Sequence, residues 1–209
     1  MEDMKTPKKI DLYQLHKADY AATRRPALVD LKPATYLAIH GQGAPGDTAF
    51  QERIGALYAM AFTVKMTRKS AGSQDYAVCK LEAQYFFEGD PAGLPKDQWR
   101  WRLLIRTPEF VTQADLDQAV ATLLKKGKPA VLQEVKWETI AEGRCVQMLH
   151  VGPYEREHET VAVMEAFAAQ QGLKLTSPHH EIYLSDPRRV APEKLKTILR
   201  VPLAKTPAT

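Results

Sequence analysis

The sequence predicts an α+β fold made of a duplicated β-α-β-β module, with two antiparallel sheets, helices on one face and a central ligand cleft. Apolar residues recur at helical spacing in three long segments, and eight shorter segments have the composition and alternation of strands. The order strand, strand, helix, strand, strand occurs twice. Two such halves pack most simply as sheets covered by helices on one side. The opposite faces then form a shared concave surface, where pockets favour the junction.

The first repeat spans about residues 27–108. Strands are predicted at Ala27–Leu31 and Thr35–His40, and a helix follows from about Asp47 to Lys69. Asp47 is the predicted N-cap, since its carboxylate can accept from the free amides of the first turn. Further strands are predicted at Val78–Phe87 and Trp99–Arg106. The predicted buried stripe of the helix consists of Phe50, Ile54, Leu57, Tyr58 and Ala61.

A helix at 112–126 connects the repeats, and Thr112 with Asp115 three residues later resembles a capping box. The second repeat spans about residues 131–204 and has the same element order. Its predicted elements are strands Gln133–Ile140 and Arg144–His150, helix Glu155–Gln171, and strands Glu181–Ser185 and Leu195–Pro202.

The remaining segments are tails, loops and an arm. Residues 1–9 read as a flexible polar tail, and the last residues form a second one. Residues 10–26 are predicted to be an ordered arm with a helical turn around Leu12–Leu15. Gly89 and Pro91 mark a turn-rich loop. We therefore predict a single domain over residues 10–204.

Three pairs of short matches favour an internal duplication, because they occur in the same order in both halves. The pairs are Leu37–Gly41 with Gln147–Val151, Phe86–Pro91 with Ile182–Pro187, and Arg102–Pro108 with Lys196–Pro202.

Composition excludes several classes of function. The net charge of +4 is mild and the basic residues are interleaved with acids, so we expect no direct nucleic-acid binding. No stretch approaches the roughly 20 apolar residues that span a bilayer, so no membrane association is expected. Cys79 and Cys145 have no metal-ligand spacing, which favours buried free thiols in the cytoplasm.

No metal or cofactor is predicted. His179 and His180 are adjacent on a strand and point to opposite faces, while His40 and His150 occupy equivalent positions typical of structural histidines. The glycines at 41, 43 and 46 match the letters of a dinucleotide fingerprint, but no βαβ unit or parallel sheet surrounds them.

One strand near the C-terminus, within the run from His179 to Arg189, carries an acid beside a phenol. Alternate side chains of a strand point to opposite faces, so Glu181 and Tyr183 share one face with His179. Ile182 lies on the other face. We expect the apolar face to lie on the core and the polar face to line a pocket.

The other half of the chain supplies candidates for the same pocket. Glu82, Gln84 and Phe86 share one face of their strand, and we expect Glu82 to meet Glu181 across the cleft. The three tryptophans, Trp99, Trp101 and Trp137, also lie on predicted strands. They are either core residues or the aromatic walls of a cleft for a flat ligand.

A carboxylate among aromatic rings has two uses. Burial raises its pKa, so that it serves as a general base near neutral pH. If it stays ionised, it attracts cationic aromatic ligands, and the ring faces contribute. The first use belongs to an enzyme and the second to a binding protein, and the spacing of the residues leaves both open.

Several motifs resemble the GyrI-like small-molecule-binding proteins over about residues 10–204, and most closely the stand-alone branch that includes cyclopropanoid cyclopropyl hydrolases. The resemblance implies a duplicated module with a central ligand cleft, and Glu181 is the acid that matches the family motif. Many relatives read Leu-Glu-Gly-Leu-Trp-Trp where this chain reads Leu-Glu-Ala-Gln-Tyr-Phe over 81–86, which implies a pocket shaped for a different ligand. The motifs are 96–101, 142–145, 150–154, 179–189 and 192–200.

The resemblance implies a hydrophobic aromatic small molecule as the partner and three alternative functions. In a hydrolase, Glu181 or Glu82 activates water, Tyr183 donates to a ligand carbonyl, and Trp101 and Trp137 sandwich the ligand. The other predicted ligand contacts are Trp99, Phe86, Gln84 and His179. The second alternative is a protein that senses or sequesters hydrophobic or cationic aromatics, and the third is a protein-partner module like the gyrase inhibitors of this family.

Overall fold

The structure, a computed structural model, describes residues 9–87 and 93–204. Residues 1–8 of the tail predicted at 1–9, the C-terminal residues 205–209 and the loop at Gly89 and Pro91 lie outside the described residues. The helices are α1 (Leu12–Leu15), α2 (Thr48–Ser70), α3 (Gln113–Lys125) and α4 (Glu157–Gln170). The strands are β1 (Ala27–Leu31), β2 (Ala34–Gln42), β3 (Glu82–Phe86), β4 (Arg100–Thr107), β5 (Lys136–Ile140), β6 (Gly143–Val151), β7 (His179–Tyr183) and β8 (Lys196–Pro202).

The eight strands form one antiparallel sheet in the order β1-β6-β8-β7-β3-β4-β2-β5. The predicted α+β class with antiparallel strands and helices is confirmed. The two predicted sheets are joined edge to edge, because β3 and β7 pair over Glu82–Tyr85 and His179–Ile182. A dinucleotide fingerprint needs a parallel βαβ unit, and the glycine-rich loop after β2 belongs to an antiparallel sheet instead.

The strand order is symmetric about the β3–β7 pair. It reads the same from the other end when β1 to β4 are exchanged with β5 to β8. Each half also gives its first strand to the other, since β1 pairs with β6 and β5 pairs with β2. Gln84 and His180, which are equivalent in the proposed repeat, are register partners. These features support the duplication that the sequence predicts.

Local signals explain where the long helices begin. The Asp47 carboxylate accepts from the amide of Phe50 at 2.7 Å at the start of α2. Thr112 and Asp115 form the predicted capping box of α3. Helix α2 packs on β2 and β4, and α4 packs on β6. The central strands β3 and β7 therefore lie between the strands that the two helices cover, and we call their helix-side surface the central cleft.

Two strands are shorter than predicted. Residues 130–134 form a 3-10 helix that buries Leu132 in the core, so β5 begins only at Lys136. Residues 78–81 precede β3 without joining the sheet, so Cys79 is not on a strand; both cysteines are nevertheless buried and free. Among the described residues, none of the helices combines the length and apolarity needed to cross a membrane.

A candidate carboxyl site in the central cleft

The register of β3 and β7 places the two predicted acids on opposite faces of the sheet. Ala83 is the partner of Glu181, and Glu82 is the partner of Ile182. Register partners on neighbouring strands point to the same face of the sheet, whereas the next residue along a strand points to the opposite face. Glu181 therefore lies on the helix side, in the central cleft, and Glu82 lies on the other side. The prediction that Glu82 and Glu181 meet in one cleft is wrong.

Glu181 is held by a chain of hydrogen bonds on the floor of the cleft, and only 9% of its surface is exposed. The Tyr183 hydroxyl donates to Glu181 Oε2 at 2.7 Å. The Tyr85 hydroxyl lies 3.1 Å from that of Tyr183. Because Tyr183 already gives its proton to Glu181, Tyr85 is the donor in this second bond. His179 Nε2 lies 3.4 Å from Glu181 Oε1, on the other side of the carboxylate.

A second acid, Glu157, completes the site. It is the first residue of α4 and is 7% exposed, and a carboxyl oxygen of Glu157 lies within 4.8 Å of one of Glu181. Burial and the adjacent Glu181 raise the pKa of Glu157 well above its ordinary value. Burial also opposes ionisation of Glu181, but the nearby His179, the hydrogen bond from Tyr183 and the neighbouring Glu157 hold the pKa of Glu181 below its ordinary value. Glu157 is therefore the neutral member of the pair and Glu181 the anion.

Sequence reasoning missed Glu157. An acid in the first turn of a helix is common because it interacts favourably with the free amides there. Nothing in the sequence around Glu157 distinguishes that ordinary role from a place in a site. Only the packing of α4 onto the sheet brings the two carboxyl groups together.

The ligand atoms of Glu157, His179 and Glu181 all lie within 4.8 Å of one another, a spacing at which three such groups could hold a metal ion. One oxygen of Glu181 already accepts a hydrogen bond from Tyr183, however, and both carboxyl groups are buried. A proton on Glu157 satisfies the remaining contact between the two acids. We therefore treat the cluster as a proton-sharing pair.

Aromatic rings continue the cleft away from the carboxyl pair. The Tyr85 ring centroid lies 6.3 Å from that of Phe87 and 5.9 Å from that of Trp99, and the latter two rings meet edge to face at 4.9 Å. Phe87 and Trp99 are partly exposed. On the other side, the Tyr154 ring meets Tyr183 edge to face at 5.7 Å. The predicted contact Trp99 thus lies next to the site, whereas Phe87 and Tyr154 were missed.

The predicted sandwich of a ligand by Trp101 and Trp137 is not compatible with the structure. Trp101 is 1% exposed, and its indole nitrogen donates to the Gly43 carbonyl at 3.1 Å. Its ring lies so close to Gly41 that a Cβ there would be 2.1 Å away, which explains the glycine. Trp137 lies on the edge strand β5, four positions from β7 in the sheet. With about 4.8 Å between neighbouring strands, it is far from Glu181.

Glu82 and Gln84 belong to a buried charge network on the opposite face. His180, which is fully buried, lies between Glu142 at 2.8 Å and Glu82 at 3.0 Å. Arg200 in turn contacts Glu142 at 2.8 Å. Burial disfavours the charged imidazole, but the two carboxylates outweigh it and raise the pKa of His180 to about 9. The same contacts lower the pKa of Glu142 to about 2.

The N-terminal arm covers this network. Asp19 pairs with Arg106 at 2.9 Å, and its backbone carbonyl accepts from Arg200 at 2.6 Å. The Tyr20 hydroxyl reaches Glu82 at 3.5 Å. Phe86, at the far end of β3, is partly exposed and packs under Arg102 instead of lining the central cleft. The predicted place of Glu82, Gln84 and Phe86 in one cleft with Glu181 is therefore wrong, because the register puts them on the opposite face of the sheet.

The comparisons with known proteins agree with this fold. Residues 107–204 match the GyrI-like small molecule binding domain. An uncharacterized conserved protein from Listeria innocua is 40% identical with a TM-score of 0.88, and the match covers 94% of this chain and 100% of that one. A hydrolase from Listeria innocua is 38% identical with a TM-score of 0.86 over the same shares. No curated protein sequence matches significantly.

A more distant likeness shows the fold alone. The C-terminal domain of EcmrR is 11% identical with a TM-score of 0.57, and the match covers 87% of this chain and 98% of that domain. The two Listeria proteins, by contrast, are similar in sequence along their whole length. The chain therefore belongs to the family of GyrI-like small-molecule-binding proteins.

Proposed function

We propose that the protein binds an aromatic small molecule in the central cleft and hydrolyses a strained ring on it, such as a cyclopropane, with Glu181 as the base. The observation that carries the proposal is a buried carboxylate that Tyr183 holds in one orientation, and that Tyr183 and Tyr85 connect to the partly exposed rings of Phe87 and Trp99. The rings of Phe87 and Trp99 offer faces and edges to a flat ligand. Glu181 then lies at the end of that platform.

The reaction adds one water molecule. The water oxygen forms a bond to a cyclopropane carbon while Glu181 accepts one of its protons. The strained carbon–carbon bond breaks, and its electron pair moves through a conjugated system to a carbonyl oxygen of the ligand, which takes up a proton. Ring strain supplies much of the driving force, so an oriented carboxylate of modest basicity is sufficient. No oxidant or cofactor is needed for the balance.

Tyr183 has a different role from the predicted donation to a ligand carbonyl. Its proton is already given to Glu181 at 2.7 Å, and Tyr85 supports it from behind. We therefore assign Tyr183 to positioning the carboxylate. The similarity to a hydrolase at 38% identity supports an enzymatic reading without naming a substrate.

A second candidate is a protein that only binds its ligand. It is favoured by the lowered pKa of Glu181, which burial opposes but the neighbouring His179, Tyr183 and Glu157 bring about. An anion among aromatic rings attracts cationic aromatic ligands. On this reading, the protein protects the cell by sequestering such compounds in the cytoplasm.

One experiment separates the two candidates. The protein is incubated with a spirocyclopropane-bearing aromatic alkylator, and the hydrated product is followed by mass spectrometry. We expect turnover that falls by about 10²–10⁴-fold in Glu181→Gln, the usual size of a general-base contribution. The control Glu165→Gln changes an exposed acid on α4 and should keep full activity. Binding without any product in the wild type would exclude hydrolysis of that substrate.

A further inference from the structure

Glu157 has no role in the function proposed so far, although it is among the most unusual groups in the molecule. Among the described residues it is one of few acids that are more than nine-tenths buried, and its neighbour is a second buried acid. Two adjacent carboxyl groups away from water do not both ionise, since each disfavours the charge of the other. One proton must therefore remain in the pair.

The surroundings decide which acid keeps the proton. Glu181 has Tyr183 on one oxygen and His179 near the other. Glu157, by contrast, has one buried carboxyl oxygen, Oε1, for which the described residues supply no hydrogen-bond partner, and burial together with the adjacent Glu181 raises its pKa. The negative charge is thus better placed on Glu181, and the proton on Glu157.

We propose that Glu157 is the general acid that works with Glu181, so that the cleft contains a two-carboxyl acid–base pair. The inference rests on the hydrolysis proposed above. Glu181 accepts a proton from the attacking water, and the proton of Glu157 goes to the ligand oxygen that receives the electron pair of the broken bond. The proton on Glu181 then passes to the neighbouring Glu157, whose carboxyl oxygen lies within 4.8 Å, and the site is restored.

The proton can be observed without any substrate. Infrared difference spectroscopy of the full chain near pH 7 should show the carbonyl stretch of a neutral carboxylic acid, which shifts in D₂O. We expect Glu157→Gln to lose this band and the matched control Glu165→Gln to retain it. Absence of the band in the wild type would overturn the proposal, and so would its disappearance on addition of Zn²⁺ or Mn²⁺ at stoichiometric concentration, because a cation would then occupy the cluster.

The acid role is tested by the pH dependence of turnover. We expect Glu157→Gln to lower kcat by about 10²–10⁴-fold and to abolish the loss of activity at high pH, which reports ionisation of the acid. A variant with unchanged kcat would contradict the acid role. Circular dichroism checks that the variant folds, and Glu157→Asp should keep the band and part of the activity. A wild type that shows the band but hydrolyses no strained substrate would refute the proposed function, and with it the acid role.

Discussion

At the residue scale, the chemistry of the cleft depends on one phenol. Tyr183 shares a strand face with Glu181, and this grouping could be predicted from alternation alone. The partners of the pair could not be predicted, because Tyr85 and Glu157 come from β3 and α4 and meet Glu181 only through tertiary packing. Tyr85 and Glu157 belong to no distinctive sequence motif, and only their contacts in the folded protein make them part of the site.

Tyr183→Phe should therefore shift the ionisation of the base without removing it. The lost hydrogen bond favoured the ionised carboxylate, so the pKa of Glu181 should rise and the acidic limb of the pH–rate profile should move to higher pH. We also expect a stability loss of about 1 kcal/mol, typical of one hydrogen bond. The measurement is the pH–rate profile beside that of Tyr58→Phe, which changes a partly exposed phenol on α2. Identical profiles would show that Tyr183 does not act on Glu181.

At the scale of elements, the sequence predicts the helices and strands well but not which sheet face is open. The alternation of β7 indicated an apolar face on the core and a polar face in a pocket. In the structure Ile182 and Glu181 are both buried, and the N-terminal arm closes the side of the sheet opposite the central cleft. A pattern of polar and apolar residues does not indicate a covering segment that lies 62 positions away from Glu82 and 181 from Arg200. The face of Glu82 was misjudged for this reason.

The arm should contribute to stability through Asp19, which pairs with the buried Arg106 at 2.9 Å. Asp19→Asn leaves that guanidinium without its charged partner. Because Asp19 is partly exposed, we expect a loss of about 1–3 kcal/mol in the free energy of unfolding, less than for a fully buried pair. Urea denaturation measures it, with the exposed Asp97→Asn as the matched control. Equal midpoints for the two variants would mean that the arm does not stabilise the network.

At the scale of the whole molecule, the sheet separates two polar clusters about one symmetry axis. The helix side holds the carboxyl pair with its proton, next to aromatic rings and partly exposed side chains. The opposite side holds a closed network in which His180, Arg106 and Arg200 face Glu82, Glu142 and Asp19. Opposite charges there satisfy one another, which is typical of a structural network. Function and stability therefore depend on different faces of the same central strands.

Because of this separation, a rise to alkaline pH should act through His180 and change the stability of the fold more than it changes the cleft. Its pKa is raised from an ordinary 6.5 to about 9, although burial alone would lower it, because Glu142 and Glu82 hold the proton. The folded state thus binds this proton more tightly than the unfolded state does. The stabilisation is fully present below about pH 6.5 and is lost as the pH rises through 9.

His180→Gln should be less stable than the wild type at pH 6, and the difference should shrink toward pH 9.5. Chemical denaturation across this range tests it beside His158→Gln, an exposed histidine on α4. The two cysteines also ionise in this pH range when the chain unfolds. The quantity to compare is therefore the difference in the free energy of unfolding between wild type and variant. A difference that stays constant with pH would show that His180 does not carry the proton.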